Sequence, residues 1–249
     1  MTGTVDEPPI SAAASFGVAA AAYERGRPQY PDEAVDWLLP PAARRVLDLG
    51  AGTGKLTGLL QRRGLDVVAV EPLSGMRDRL AAALPEVTLL AGTAEAIPVE
   101  DGVVDAVLVA QAWHWVNPTL AVPEVARVLA PGGRLGLLWN IRDERESWVR
   151  DLGRLMHAHG ERDSDGPKPA VGPPFGPIEH REVAWKHWLT RASLVDLVAS
   201  RSYVITLPRE ERDAVLADVR RLADTHPDLA GAERFPLPYL TQCFRADLR

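Results

Sequence analysis

The residues whose types and spacing suggest chemistry begin at Asp48. It stands two positions before the first of three alternating glycines, Gly50, Gly52 and Gly54, in the stretch VLDLGAGTGKLT; a second carboxylate, Glu71, ends an apolar run 21 residues after Gly50. Glycines so spaced let a backbone turn come close to a ligand. In a doubly wound fold a carboxylate at that distance stands beside the turn and can accept hydrogen bonds from both hydroxyls of a ribose; it would repel a 2′-phosphate, which disfavours NADP. Spacing separates this turn from two phosphate binders. A dinucleotide fingerprint needs its third glycine where Lys55 stands, and a P-loop needs a glycine at Leu49 and a hydroxyl residue at Leu56. What remains is a turn for a nucleotide-like ligand that is not shaped around a pyrophosphate.

The elements that must position these groups follow from periodicity. Five short apolar runs, RVLDLG, DVVAVE, VTLLAG, VDAVLVAQ and RLGLLWN, recur at intervals of roughly 20 to 30 residues and read as strands covered on both faces. Helical patterns lie between them. Leu56, Leu59, Leu60 and Arg63 keep helical spacing until Gly64, and Met76, Leu80 and Leu84 share a face. Asn117 caps a third pattern, in which Pro123 predicts a late start or a bend. Before the first strand, YPDEAVDWLLP predicts a helix with Pro31 at its first position. Strands alternating with helices give an α/β, doubly wound, mostly parallel sheet with right-handed crossovers. Residues 160–177 hold five prolines and four glycines and predict a loop or lid. A strand-like EHREVAWKHWLT, two helical stretches (SLVDLVASRS and REERDAVLADVRRLADT) and a last strand in FPLPYLTQCFRADL follow. The expected organisation is one continuous domain: an arm over residues 1–30, including the low-complexity SAAASFGVAAAAY, a core carrying the glycine turn over 31–145, and a lid, helices and closing strands over 146–249.

Composition narrows the class. With 249 residues, 46% apolar and 25% charged, the chain has the make-up of a globular protein. No apolar run reaches the roughly 18 residues of a membrane helix, and the N-terminus lacks a secretory pattern, so no membrane partner is expected. A single cysteine, Cys243, excludes an internal disulfide and a multi-cysteine zinc site, and points to a reducing, cytoplasmic setting. His157 and His159 lie near acids but form no convincing ligand set, so no metal is expected. The net charge of −6 argues against nucleic acid as a partner.

The motifs then resemble a known family. VLDLGAGTGKLT is similar to motif I, D-x-G-x-G-x-G, of the class I S-adenosylmethionine-dependent methyltransferases; VVAVEP resembles their acidic ribose motif, and AGTAEAIPVEDGVVDAVLVAQAWHWV and RVLAPGGRLGLLWN resemble the adenine-side, fourth-strand and fifth-strand motifs. YERGRPQYP and the AWHW tetrad resemble a trans-aconitate-type, small-molecule subgroup. The likeness is clear over residues 20–145 and loose beyond. It implies a Rossmann-like methyltransferase fold with an antiparallel C-terminal strand and added helices. S-adenosylmethionine is the implied cofactor, S-adenosylhomocysteine the product, and a small molecule the acceptor.

The resemblance also implies a site. Gly50, Ala51 and Gly52 would lie under the methionine end of the cofactor, Asp48 would engage its ammonium, and Glu71 would hold the ribose. Adenine would fall to Thr93, Ala94 and Glu95; Thr93 replaces the family's usual aspartate, which leaves that contact uncharged. Gln111 would sit beside the transferred methyl. Tyr23, Arg27 and Tyr30 would fold over the cofactor, or the tyrosines would only pack the arm. His114 would be a base or an acceptor-orienting donor, Trp113 and Trp115 would wall the pocket or simply be core, and Trp139, Asn140 and Arg142, with Trp148, would face the acceptor. Acceptors that arrive as carboxylates need no general base, whereas alcohols, phenols and amines often do. The Asn/Asp-Pro-Pro-Tyr/Phe signature of adenine and glutamine methylation is absent, its place taken by AQAW. An NAD-dependent oxidoreductase conflicts with Lys55 and with the lack of a Tyr-x-x-x-Lys pair. A non-catalytic binder of the same cofactor would look alike at these positions.

Overall fold

The computed structural model describes residues 27–158 and 169–249. The expectations for residues 1–26, Tyr23 among them, and for the 159–168 part of the loop fall outside the described residues. Among the described residues the chain divides into two compact units, one of residues 28–143, 169–187 and 237–249, the other of 27, 144–158 and 188–236.

The first unit carries the sheet. Its elements run α1 (Asp32–Leu38), β1 (Arg45–Leu49), α2 (Lys55–Gln61), β2 (Asp66–Val70), α3 (Ser74–Ala83), β3 (Thr88–Leu90), β4 (Val104–Ala110), a single 3-10 turn (Trp113–Trp115), α4 (Pro118–Val128) and β5 (Leu129–Arg142), followed by β6 (Glu179–Leu189) and β7 (Phe235–Asp247). The strand order is β3-β2-β1-β4-β5-β7-β6. The ladders from β3 through β5 are parallel, and β7 runs antiparallel to β5. The expected doubly wound sheet with an antiparallel C-terminal strand is therefore present. The chain steps outward from β1 to β3, then crosses back to β4, so the carboxyl ends of β1 and β4 form the switch point at which such sheets bind ligands.

Alternation along the strands splits the core between two faces. Leu47, Val68, Val107, Leu135 and Leu137 pack with Ala121, Val122, Val125 and Val128 of α4. Val46, Val67, Ala106, Leu108 and Leu138 pack with Ala34, Val35 and Leu38 of α1 and Leu56, Leu59 and Leu60 of α2. Strands buried on both faces explain why the sequence shows continuous apolar runs rather than alternation.

Two details differ from expectation. The helix over α4 starts at Pro118, with the Asn117 side chain accepting from the Thr119 N–H, and runs through Pro123. Pro123 is the sixth residue of the helix, so the Thr119 carbonyl lacks its i→i−4 donor, and the helix continues past it to Val128. Pro31 is the N-cap residue rather than the first helical one, because its ψ of 140° is extended.

The second unit is helical: α5 (Ser147–Ala158), α6 (Arg191–Ala199), α7 (Ser202–Thr206) and α8 (Arg209–Thr225). Helix α5 was not anticipated, although Trp148, Val149, Leu152 and Met156 form its buried stripe. Thr190 and Ser193 make a reciprocal capping box at the start of α6. Trp148 is a core residue here, edge-on to Phe235 at 5.5 Å, which removes it from the expected acceptor wall.

Candidate functional site

The glycine turn follows β1 at the switch point. Gly50, Gly52 and Gly54 all have positive φ, 73°, 56° and 88°, a region that side chains with a Cβ enter at a cost. Positive φ favours glycine at both Gly50 and Gly52, but their surroundings differ. A Cβ on Gly50 would meet the Cβ of Ala112 at 2.9 Å, where the turn touches the loop leaving β4. A Cβ on Gly52 would meet nothing within 4 Å, so the backbone there faces open space. The Gly50→Ala protein is expected to lose about 2–3 kcal/mol through backbone strain plus this overlap, a drop of several degrees in Tm by calorimetry.

Two carboxylates support the turn. Glu71, 5% exposed, accepts from the Gly52 N–H and from the Leu73 N–H, both at 2.9 Å. Its carboxylate thus fixes the turn and the start of α3 together, and each oxygen retains a lone pair for a ligand hydroxyl. Burial raises its pKa against these two amides and Arg77. Asp48 is fully buried and accepts from Thr57 Oγ1 at 2.6 Å. Its other oxygen, and the hydroxyl of buried Thr53, find no hydrogen-bond partner among the described residues. Burial pushes the Asp48 carboxyl up to about 7; the Thr57 hydrogen bond opposes this and the charge of Glu71 adds to it. Thr53 and Thr57 were missed in the sequence reading, although both lie within the glycine motif.

The ends of β4 and β5 form the rest of the edge. Gln111 takes φ +58°, which is uncommon for a residue with a Cβ, and its Nε2 donates to the Asn140 carbonyl at 3.3 Å. Trp139 Nε1 lies 3.4 Å from His114 Nδ1. His114 keeps an exposed edge, and partial burial lowers its pKa, so the ring is neutral near pH 7. Asn140 donates from Nδ2 to the Gln29 carbonyl at 2.9 Å and accepts at Oδ1 from Thr241 at 2.7 Å. Arg142, half-buried, closes β5.

Several expected residues have other surroundings. Trp113 and Trp139 are 4% and 7% exposed and belong to the sheet core, whereas Trp115 is 78% exposed. Ala94 is core; Glu95 accepts from the Asn117 N–H at 2.8 Å and so helps to start α4; Thr93 is exposed. Tyr30 packs against the α1 and α2 face of the core. Arg27 belongs to the helical unit, where it donates to the Ser200 carbonyl at 3.4 Å.

A doubly wound sheet whose switch point carries an open glycine turn, a ribose-spaced carboxylate and a second buried carboxylate defines the class I S-adenosylmethionine-dependent methyltransferase type. The comparisons agree. Residues 47–137 match the family model described as a methyltransferase domain. An uncharacterized methyltransferase of Mycobacterium tuberculosis strain H37Rv is 59% identical over 94% of this chain and 96% of its own length. An uncharacterized methyltransferase-like protein of Schizosaccharomyces pombe is 34% identical over 94% and 95%. A solved structure, a proposed type II methyltransferase of Anaeromyxobacter dehalogenans, shares the fold with a TM-score of 0.62 at 22% identity, over 89% of this chain and 97% of that one. The chain belongs to the S-adenosylmethionine-dependent methyltransferase family.

The residues present fit that cofactor. Open space over Gly52, and an Asp48 oxygen and a Thr53 hydroxyl without hydrogen-bond partners among the described residues, would provide the cradle and the polar partners. Two buried carboxylates suit a ligand carrying both a sulfonium and an ammonium, since a cation favours their ionised forms. When bound, the cofactor supplies a methyl group already activated by its sulfonium. The protein's part is to hold, orient and keep dry. Among the described residues no helix is long and apolar enough to cross a membrane.

Proposed function

We propose that the enzyme methylates a carboxylate oxygen of a small organic acid, as the trans-aconitate-like motifs imply, with Glu71 holding the ribose, Asp48 and the Gly50–Gly52 turn the methionine end, and Gln111, His114 and Arg142 the reacting edge. One observation carries the reading. Trp139 Nε1 can only donate, so its approach to His114 Nδ1 makes that nitrogen the unprotonated one. Neutral His114 then carries its proton on Nε2 and presents a donor rather than a base. A donor suits an acceptor that arrives as an anion and needs no proton removed. Arg142, at the end of β5, supplies a cation suited to a carboxylate. The net charge of −6 weighs against nucleic acid as the acceptor.

The test is transfer of labelled methyl to panels of small acids, phenols and amines, with S-adenosylmethionine held saturating at every pH so that the titration of Asp48 does not shape the profile. The expected product is a base-labile ester, formed at a rate that is flat between pH 6 and 9, and His114→Ala lowers kcat/KM about tenfold without giving the profile a slope. Base-stable label, or a wild-type rate that climbs through the histidine range, would overturn the carboxylate reading.

A further inference from the structure

We propose that Thr241, on β7, is a positioning residue of the methyl-donor edge: it sets the orientation of the Asn140 side chain, which in turn latches the Gln29–Tyr30 backbone onto the end of β5. The proposal rests on the proposed function above and takes from the family resemblance that the backbone around Tyr30, whose ring packs on the core, borders the cofactor.

The argument is one of hydrogen-bond direction. Trp185 Nε1 lies 2.8 Å from Thr241 Oγ1 and can only donate. Its ring is held in place by stacking on Tyr239, at 5.3 Å between centroids and 21° between planes. Thr241 is fully buried and stands directly opposite Asn140 in the antiparallel β5–β7 register. Its hydroxyl accepts from Trp185, so its single proton is left for Asn140 Oδ1, 2.7 Å away. That fixes which end of the carboxamide is which, and Nδ2 donates to the Gln29 carbonyl at 2.9 Å. The chain is one-way because it begins at an indole N–H, which cannot accept, and ends at a carbonyl, which cannot donate. A flipped Asn140 would set two oxygens against each other at Gln29. The backbone carbonyl of Asn140 also receives Gln111 Nε2, so one residue ties the latch to the side chain expected beside the methyl. Asn140 is thereby recast from a substrate contact to a clamp.

Thr241→Val keeps the shape and removes the hydroxyl; Thr241→Ser restores it; Asn140→Asp can still accept from Thr241 but cannot donate to Gln29. In the wild type the Asn140 side-chain amide should give a single, slowly exchanging pair of NMR signals. In Thr241→Val those protons are expected to exchange roughly tenfold faster, and the Kd for S-adenosylhomocysteine, by calorimetry, to weaken about five- to tenfold, the equivalent of one hydrogen bond. Thr241→Ser should match wild type in both readouts, and Asn140→Asp should show the same loss of affinity. Unchanged amide exchange in Thr241→Val would overturn the latch. Faster exchange with unchanged affinity would support the latch and overturn the reading that this segment borders the cofactor. Should Thr241→Val fail to fold, Asn140→Asp alone decides: wild-type affinity in that protein would overturn the proposal.

Discussion

Replacing Glu71 by alanine is expected to weaken both S-adenosylmethionine and S-adenosylhomocysteine by about a hundredfold or more, since it would remove together the two hydrogen bonds proposed from the ribose hydroxyls to its carboxylate. The structure adds a second source of loss. Glu71 also receives the Gly52 and Leu73 amides, so alanine releases the turn as well as the ligand. Glu71→Gln separates the two effects. It keeps one acceptor oxygen but turns an NH2 group toward one of these amides, and it should bind more weakly than wild type without recovering the alanine value. Calorimetry on all three proteins, with NAD as a control, is the measurement. Retention of wild-type affinity by Glu71→Ala would remove this residue from the site, and NAD binding would overturn the reading of the glycine turn.

The second large effect is a dependence of stability on pH. In the unfolded chain Asp48 titrates near its ordinary 3.8, whereas in the fold burial holds it protonated up to about 7. Between these values the unfolded chain has released a proton that the folded chain keeps, so rising pH favours unfolding across that window. Below it the residue contributes its full stability, and above about 7 the loss levels off. Roughly three pKa units at about 1.4 kcal/mol each put the total on the order of 4 kcal/mol. Asp48→Asn removes the titration. Urea unfolding of both proteins from pH 4 to 8 should show the asparagine protein gaining on wild type as pH rises, then holding a constant lead. A difference that stays flat across this range would mean that Asp48 is already ionised in the fold. A cationic ligand opposes the penalty, so S-adenosylmethionine should bind wild type more tightly as pH rises toward and through 7.

Much of this was legible in the sequence because it is local. The glycine spacing specified a close-approach turn, which the structure builds from three positive-φ glycines, and the continuous apolar runs specified strands covered on both faces. The 21-residue interval placed Glu71 beside the turn because β1 and β2 pair in parallel, with Leu49 opposite Val70. Less legible were the features that depend on partners far along the chain. Glu95 caps the start of α4 at Asn117, and Asn140 meets Thr241 across 101 residues; neither pairing leaves a periodic trace. Helix α5 was legible but missed, since Gly153 inside it and the nearby proline-rich loop masked a stripe of Trp148, Val149, Leu152 and Met156. Trp113 was open between pocket wall and core and Trp139 was expected at the acceptor; both lie in the sheet core, 4% and 7% exposed.

The position of β7 also bears on how the molecule is made. This strand is the last element in chain order but lies inside the sheet, between β5 and β6. On the ribosome, β1 to β5 can pair as they emerge, whereas β5 keeps an open edge and β6 lacks its sheet neighbour until residues 235–247 have been synthesised. Thr241 arrives with that strand, so the Asn140 clamp cannot close before the sheet does. The sheet and the Thr241–Asn140 hydrogen bond can therefore be completed only after residues 235–247 have been made.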